Sequence, residues 1–274
     1  MNMYVKGRVL ITGGTSGLGL ELVKLFLRRG FDVVATGRRK AEISECESRF
    51  TFYRVDFSDL AATAKVFGHI FEAYNFDYMV YNAGILSPPD YRVTKDGFEY
   101  TFQINFLSHF LVNGLVIRHH PPDRPLRIVS VTSLAYRYAE PDFKHFGEAA
   151  DYSAWKAYSN SKYYLVLMCR NFSRELAGTR MRFYSYDPGV FGSELYRTQK
   201  GIFRRIYQTG VKVLRKPAVP AGILTELLAD PDLINGALYD VKKRIRKFTE
   251  PETDLTERFW QAVQVETAKF LQSQ

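Results

Sequence analysis

Short apolar, β-branched runs alternate with longer stretches of helical spacing over the first 190 residues. The runs are Arg8–Thr12, Phe31–Thr36, Thr51–Val55, Asp77–Tyr81, Arg127–Thr132 and Met181–Tyr186. They are hydrophobic almost throughout, as strands covered on both faces must be. Between them lie helix candidates at Gly17–Arg29, Leu60–Ala73, Gly97–Arg118 and Tyr152–Leu176. In the first helix Leu18, Leu22, Leu25 and Phe26 share one face, while Glu21, Lys24 and Arg28 turn away. Strand alternating with helix predicts a parallel sheet, right-handed crossovers and helices on both faces. The expected fold is α/β, a doubly wound (Rossmann) sheet rather than a sandwich or a bundle.

After Gly189 the pattern changes. Ser193–Lys216 is basic and amphipathic, Val219–Ala229 reads as a helix, Gly236–Tyr239 as a short last strand and Glu257–Leu271 as a C-terminal helix. No linker rich in Gly, Ser or Pro divides the chain. The strongest loop signals, Ser87-Pro88-Pro89-Asp90 and Pro121-Pro122-Asp123, fall between predicted elements. We therefore expect one domain over 1–274, with a cofactor half at about 1–120 and a catalytic and substrate part at about 121–274.

Composition narrows the class. The 274 residues are 46% hydrophobic and 24% charged, which excludes a disordered or low-complexity chain. No apolar run approaches the roughly 18 residues of a membrane-spanning helix. The first strand begins so early that no signal peptide is expected ahead of it. Cys46 and Cys169 make no disulfide framework and read as free thiols in a reducing compartment, so a cytoplasmic location is expected.

The most informative stretch is Thr12-Gly13-Gly14-Thr15-Ser16-Gly17-Leu18-Gly19, between the first strand and the first helix. A glycine-rich turn at that place lets the backbone approach a pyrophosphate, and the helix offers free N–H groups and the positive end of its dipole. The alternative is a tight turn that binds nothing. The end of the second strand, Ala35-Thr36-Gly37-Arg38-Arg39-Lys40, holds no carboxylate. Asp or Glu there would bond the ribose hydroxyls of NAD; Arg38 and Arg39 instead offer planar forks for the 2′-phosphate of NADP(H). Ser16 adds a hydroxyl. A merely solvated basic helix start is the other explanation for the arginines. Asp56, followed by Phe57 after the third strand, is placed to accept from an adenine amino group or to cap a helix.

Tyr158 and Lys162 stand at i and i+4 on a predicted helix, so both emerge on one face. An ammonium beside a phenol favours the phenolate and suits the tyrosine to proton exchange with an alcohol or a carbonyl. Alone, such a pair is as readily an exposed helix face.

The pair is not alone. Thr12, Gly13, Gly17 and Gly19, Asn82-Ala83-Gly84 after the fourth strand, Asn105 in the next helix, Ser133 after the fifth strand, Tyr158, Lys162, and Pro188-Gly189 after the sixth occur in order. From about Lys6 to about Leu195 the chain resembles a short-chain dehydrogenase/reductase. The resemblance implies hydride transfer between a nicotinamide and a small-molecule carbonyl or alcohol. Tyr158 would be the acid/base, Ser133 would bond the same substrate oxygen, and Lys162 would tune Tyr158 and bind the nicotinamide ribose. Asn105 would hold a water linking Lys162 to solvent. Asn82, Ala83 and Gly84 would line the cofactor from below. Val190 would bond the carboxamide, with Ser193 standing where the family often has Thr. Pairing as a homodimer or homotetramer, through the helices at 97–118 and 152–177, is also implied.

Tyr158 follows Ser133 by 25 residues, and the segment between is rich in aromatics. That length, Ser108-His109-Phe110 and the wording Tyr158-Ser159-Asn160-Ser161-Lys162 resemble the retinol-dehydrogenase-like and protochlorophyllide-reductase-like branch. A bulky, apolar substrate is implied. Two departures are Tyr81, where many members have an asparagine, and Gly14, an added glycine. A membrane-anchoring N-terminal helix like that of many retinol dehydrogenases is not expected, so a soluble relative is expected.

Residues 193–216 are expected to form a lid. Within it Phe203, Ile206, Tyr207, Gly210, Val213 and Leu214 share a face opposite Arg204, Arg205, Gln208, Lys212 and Arg215. Peripheral docking on an anionic membrane surface or a plain solvated face fits the same pattern. The net charge of +9 would suit nucleic acid, but no nucleic-acid-reading motif accompanies it. The five histidines show no metal-ligand spacing, and His109 reads as packed or interfacial rather than as a ligand. A non-catalytic NADP-binding sensor or scaffold is the competing function; such a protein would not need Ser133, Tyr158 and Lys162 together.

Overall fold

A computed structural model describes residues 7–43, 46–141, 143, 152–189 and 216–272. Its strands are β1 (Arg8–Thr12), β2 (Asp32–Gly37), β3 (Phe50–Arg54), β4 (Tyr78–Tyr81), β5 (Leu126–Val131), β6 (Met181–Asp187) and β7 (Leu238–Asp240). They form one sheet in the order β3-β2-β1-β4-β5-β6-β7, parallel throughout. The order reverses at β1, which pairs with β2 on one side (Leu10 opposite Val34) and β4 on the other (Leu10 opposite Met79). The crevice at such a switch point, beyond the carboxyl ends of the strands, is where ligands bind in open α/β sheets.

Alternate side chains of each strand feed two cores. Val9, Ile11, Val33 and Val129 pack with Leu18, Leu22 and Phe26 of α1 (Gly17–Arg28) and Leu224 and Leu228 of α6 (Ala218–Leu228). Leu10, Val34, Met79 and Ile128 pack on the other face, against α2 (Leu60–Ala73), α4 (Ser108–His119) and α5 (Ala154–Glu175). The caps follow the chemistry of helix starts. Asp59 accepts from Ala62 N (2.8 Å) at the head of α2, and Ser153 from Lys156 N (3.1 Å) at the head of α5.

The helix expected over Gly97–Arg118 is built otherwise. Gly97 has φ 90°, which no helix accepts. The helical start is delayed to α3 (Tyr100–Phe102), whose first N–H groups are taken by the Glu99 carboxylate, from Thr101 N at 2.9 Å and Phe102 N at 2.6 Å. A single π-helical turn, Gln103–Leu107, then precedes α4. It sets Asn105 out of ordinary α register at the place where the helix passes the crevice.

The short last strand is present, shifted to Leu238–Asp240, and pairs with β6. The C-terminal helix α7 starts earlier than expected and runs Thr253–Leu271. It lies across α4 and α5. Phe259 stacks on Tyr164 (4.8 Å) and on Phe106 (5.7 Å), and the Trp260 ring meets Phe110 (4.7 Å) and Phe172 (4.8 Å). Ahead of α7, Phe248 packs on Tyr163 at 4.7 Å and Glu250 bridges Arg170 and Arg174. Residues 158–169 of α5 are consequently buried without a break. The expected lid at 193–216 lies, apart from Lys216, outside the described residues.

Candidate active site

The turn from β1 to α1 is shaped by what glycine lacks. A Cβ at Gly13, whose φ is 64°, would stand 2.8 Å from the Ala83 Cα; one at Gly19 would collide with the Gly13 carbonyl and lie 2.5 Å from Asn82 Nδ2. Asn82 locks the turn from the neighbouring strand, donating through Nδ2 to the carbonyls of Thr12 (3.2 Å) and Gly13 (3.0 Å). Thr12 Oγ1 accepts from Asn82 N and Ala83 N, each at 3.0 Å. Ser16 caps α1 in extended conformation, with no side-chain bond to the helix. Backbone N–H groups at the helix start therefore face a crevice of about 740 Å³ lined by Gly13, Thr15, Ser16, Gly17 and Leu18.

At the far side of this turn Gly37 ends β2 and packs on Thr15, so close that a Cβ would stand 2.9 Å from Thr15 Oγ1. Arg38 lines the crevice beside it; Arg39 does not. Asp56 lines the crevice while its Oδ1 accepts from Ser58 N (3.0 Å) and Ser58 Oγ (2.8 Å). Phe57, also in the wall, is buried, and its carbonyl accepts from Gln103 Nε2 and Ser108 Oγ. A glycine cradle, free helix N–H groups, and a guanidinium where a carboxylate would repel a phosphate make a donor set that fits a dinucleotide with a 2′-phosphate.

At the other end of the crevice stand Ser133, Tyr158 and Lys162. Ser133 follows β5 and heads a short 3₁₀ turn, its Oγ accepting from Ala135 N at 3.3 Å. Tyr158 and Lys162 lie one turn apart on α5, with the ammonium 5.7 Å from the phenol ring centroid. Lys162 is buried and donates to the Val131 carbonyl at 3.2 Å. Burial pulls its pKa down to about 8. Asn105 does not line the crevice. It works beneath it, accepting from Ile85 N (2.8 Å) and donating to Ile85 O (3.0 Å) and Ser161 Oγ (2.9 Å). Gly84 lies between these groups: a Cβ there would be 3.2 Å from Asn105 Oδ1 and 3.4 Å from Lys162 Nζ. Its missing side chain is what lets the amide and the ammonium approach one spot.

Pro188 and Gly189 close the crevice at the end of β6. The buried Asp187, which sequence reasoning passed over, shapes this turn by accepting from Gly189 N at 2.9 Å; burial pushes its carboxyl pKa up. Gly19 sits behind the wall rather than in it, and Val190 and Ser193 lie outside the described residues.

The wall also includes residues that no motif marked: Ile85, Leu86, Pro88, Pro89, Arg92, Tyr100 and Ile104. The run of prolines marked a loop but not its direction. Leu86 packs with Ala135, Tyr158, Ala154 and Trp155 into an apolar cluster directly around the phenol. Among the described residues no group of His, Cys, Asp or Glu is arranged to hold a metal. No helix is long and apolar enough to cross a membrane, again among the described residues.

A family model described as short chain dehydrogenase matches residues 7–201. Human retinol dehydrogenase 12 is 31% identical over 230 residues, covering 79% of this chain and 72% of that protein. Human polyprenol dehydrogenase is 30% identical over 204 residues, covering 69% of this chain and 62% of that protein. Among solved structures, a short chain dehydrogenase family protein from Francisella tularensis superposes with a TM-score of 0.67 at 20% identity, over 86% of this chain and 97% of that one. ElxO, solved with NADP bound, gives a TM-score of 0.65 at 19% identity over the same shares. At such identities these two likenesses are of fold.

Proposed function

The chain belongs to the short-chain dehydrogenase family, in its retinol-dehydrogenase-like branch, and from that premise we propose an NADP(H)-dependent oxidoreductase that interconverts a bulky apolar carbonyl compound and its alcohol. One convergence carries the proposal. Ser133, Tyr158 and Lys162 open onto the same crevice as the glycine turn and Arg38. The bound nicotinamide would supply hydride exchange with the substrate carbon. Gly13, Thr15, Ser16, Gly17 and Leu18 would receive the pyrophosphate, Gly19 keeping the turn tight behind them, and Arg38 the 2′-phosphate. Arg39, outside the wall, would add only distant positive charge. Asp56 and Phe57 would border the adenine; Asn82, Ala83, Gly84, Pro188 and Gly189 the nicotinamide half, with Val190 and Ser193 assigned to the carboxamide by resemblance.

Tyr158 would give a proton to the carbonyl oxygen in reduction and take it back in oxidation. Ser133 would donate to the same oxygen as charge develops there. Lys162, ionised at neutral pH, would favour the phenolate and bond the nicotinamide ribose. By resemblance, Asn105 would hold a water that carries protons from the lysine to solvent; its side chain lies near Lys162 across Gly84. Leu86, Ala135 and Trp155 around the phenol support an apolar substrate. Two free cysteines, Cys46 exposed and Cys169 buried, suit a reducing compartment such as the cytoplasm.

A panel of apolar aldehydes, ketones and quinones, followed at the nicotinamide absorbance with NADPH and then NADH, tests this. Turnover with NADPH and a preference for apolar carbonyls are expected. Preference for NADH would remove Arg38 from its role. Cofactor binding without turnover of any member would favour a sensor or scaffold.

The partner expectation changes with the packing of α7. A homodimer or homotetramer joined through α4 and α5 would need faces that Phe259 and Trp260 cover. We infer that α7 fills in cis the place of a partner subunit and that the chain works singly. Light scattering should give the mass of one chain. Trp260→Ala should cost about 3–5 kcal/mol of stability in urea melts. A wild-type dimer would overturn the inference.

A further inference from the structure

Two residues have no part in the chemistry above, His109 and Tyr81, and both lie directly under the site. His109 is fully buried on α4, one turn beyond Asn105. Its Nδ1 is 3.0 Å from the Asn105 carbonyl and its Nε2 is 3.0 Å from Thr12 Oγ1. A carbonyl only accepts, so in the neutral ring Nδ1 carries the hydrogen and Nε2 must accept. The Thr12 hydroxyl is the donor at hand. With its hydrogen committed to His109, the Thr12 oxygen presents its lone pairs to Asn82 N and Ala83 N. Its other acceptor, the Val80 carbonyl, is farther, at 3.5 Å.

The ring is clamped between aromatic neighbours. Tyr81 lies over it at 4.9 Å and Phe57 meets it edge-on at 5.0 Å. Tyr81 is fixed in turn, donating to Asn113 Oδ1 at 2.7 Å one turn farther along α4. The departure of Tyr81 from the usual asparagine thus has a place in the same assembly. The charged group acting on the ring is the Lys162 ammonium on α5, which favours neutral imidazole, as burial does.

We propose that His109 is a positioning residue: a neutral strut that fixes the Thr12 hydroxyl under Asn82-Ala83 and the Asn105 carbonyl in the π turn, so that the cofactor cradle and the catalytic helix hold one geometry. The proposal rests on the dinucleotide reading of the crevice. Its test is NADPH binding to the full chain by fluorescence titration, without turnover, beside thermal melts. His109→Leu removes both bonds and keeps an apolar body; His109→Gln offers an amide that both donates and accepts; Thr12→Val removes the shared hydroxyl.

His109→Leu is expected to weaken NADPH binding about tenfold, the size of one buried hydrogen bond. His109→Gln should recover to within about threefold of wild type, and Thr12→Val with His109→Leu should be no weaker than the worse single variant. Binding by His109→Leu within twofold of wild type, with only the melting temperature lowered, would mean packing alone and overturn the proposal. Additive losses in the double variant would do the same. If His109→Leu does not fold, failed rescue by His109→Gln decides against it. Wild type that binds neither NADPH nor NADH would overturn the dinucleotide reading and this proposal together; a defect in His109→Leu set against tight wild-type binding isolates the strut.

Discussion

The two ends of the crevice are made from opposite materials. At the nucleotide end the surface is largely backbone: Gly13 and Gly19 clear space, a helix start offers N–H groups, and Asn82 braces the turn through main-chain carbonyls. At the chemistry end the candidate groups are side-chain termini: the Ser133 hydroxyl after β5, and a phenol and an ammonium held by a helix whose residues 158–169 are buried throughout. The glycines of the first end are spoiled by adding atoms, the reacting groups of the second by removing them. A deletion scan would therefore map the chemistry and, in the cradle, only its side-chain braces such as Asn82, whereas insertion of single methyl groups would map the glycines.

The largest expected effect breaks the chemistry end alone. Tyr158→Phe should lower turnover by about 10²–10⁴ while NADPH affinity stays within about twofold. Equal loss of both would erase the contrast. At the junction, burial holds the His109 pKa down to about 4, against an ordinary value near 6.5. Below pH 6.5 the unfolded chain takes up a proton that the folded chain refuses until about pH 4. Folding stability should therefore fall over that window by about 3 kcal/mol and level off below it. Urea midpoints at pH 7 and 4.5 should diverge more in wild type than in His109→Leu; equal divergence would rule out this group as the source. At the nucleotide end, Gly19→Ala should weaken NADPH by about tenfold to a hundredfold through overpacking, with turnover at saturating cofactor little changed. The smallest effect is the most selective. Arg38→Asp should weaken NADPH about tenfold, the loss of a hydrogen bond to a charged group, and spare NADH.

How much of this was readable beforehand follows the same division. A glycine motif is a statement about forbidden volume, so Gly13 to Gly19 are legible wherever strand meets helix. Ser133, Tyr158 and Lys162 were found through their spacing and company, but their meeting in one crevice needed the order of the sheet. The boundaries of β1 and α2 follow from unbroken periodicity. The helix at 97–118 does not, because apolar periodicity runs through Gly97 and through a π turn that hydropathy cannot sense. Arg38 and Arg39 look alike in sequence, yet only Arg38 faces the crevice. Pro88, Arg92 and Tyr100 come from irregular chain, where no period announces direction. The bond between His109 and Thr12 spans 97 residues, and the cover that α7 gives α4 is longer still. Neither leaves a local trace.

The place of β1 at the reversal of strand order has a consequence for how the molecule comes into being. Its second neighbour, β4, begins about seventy residues later, Val9 lying opposite Tyr78. At ribosomal speeds of roughly 5–20 residues per second, one edge of this buried strand waits several seconds for its match. Contacts so distant along the chain also make slow nuclei. Newborn copies should therefore lean on chaperones until residue 81 has emerged, and the glycine turn that Asn82 later locks spends its first moments with nothing to brace it.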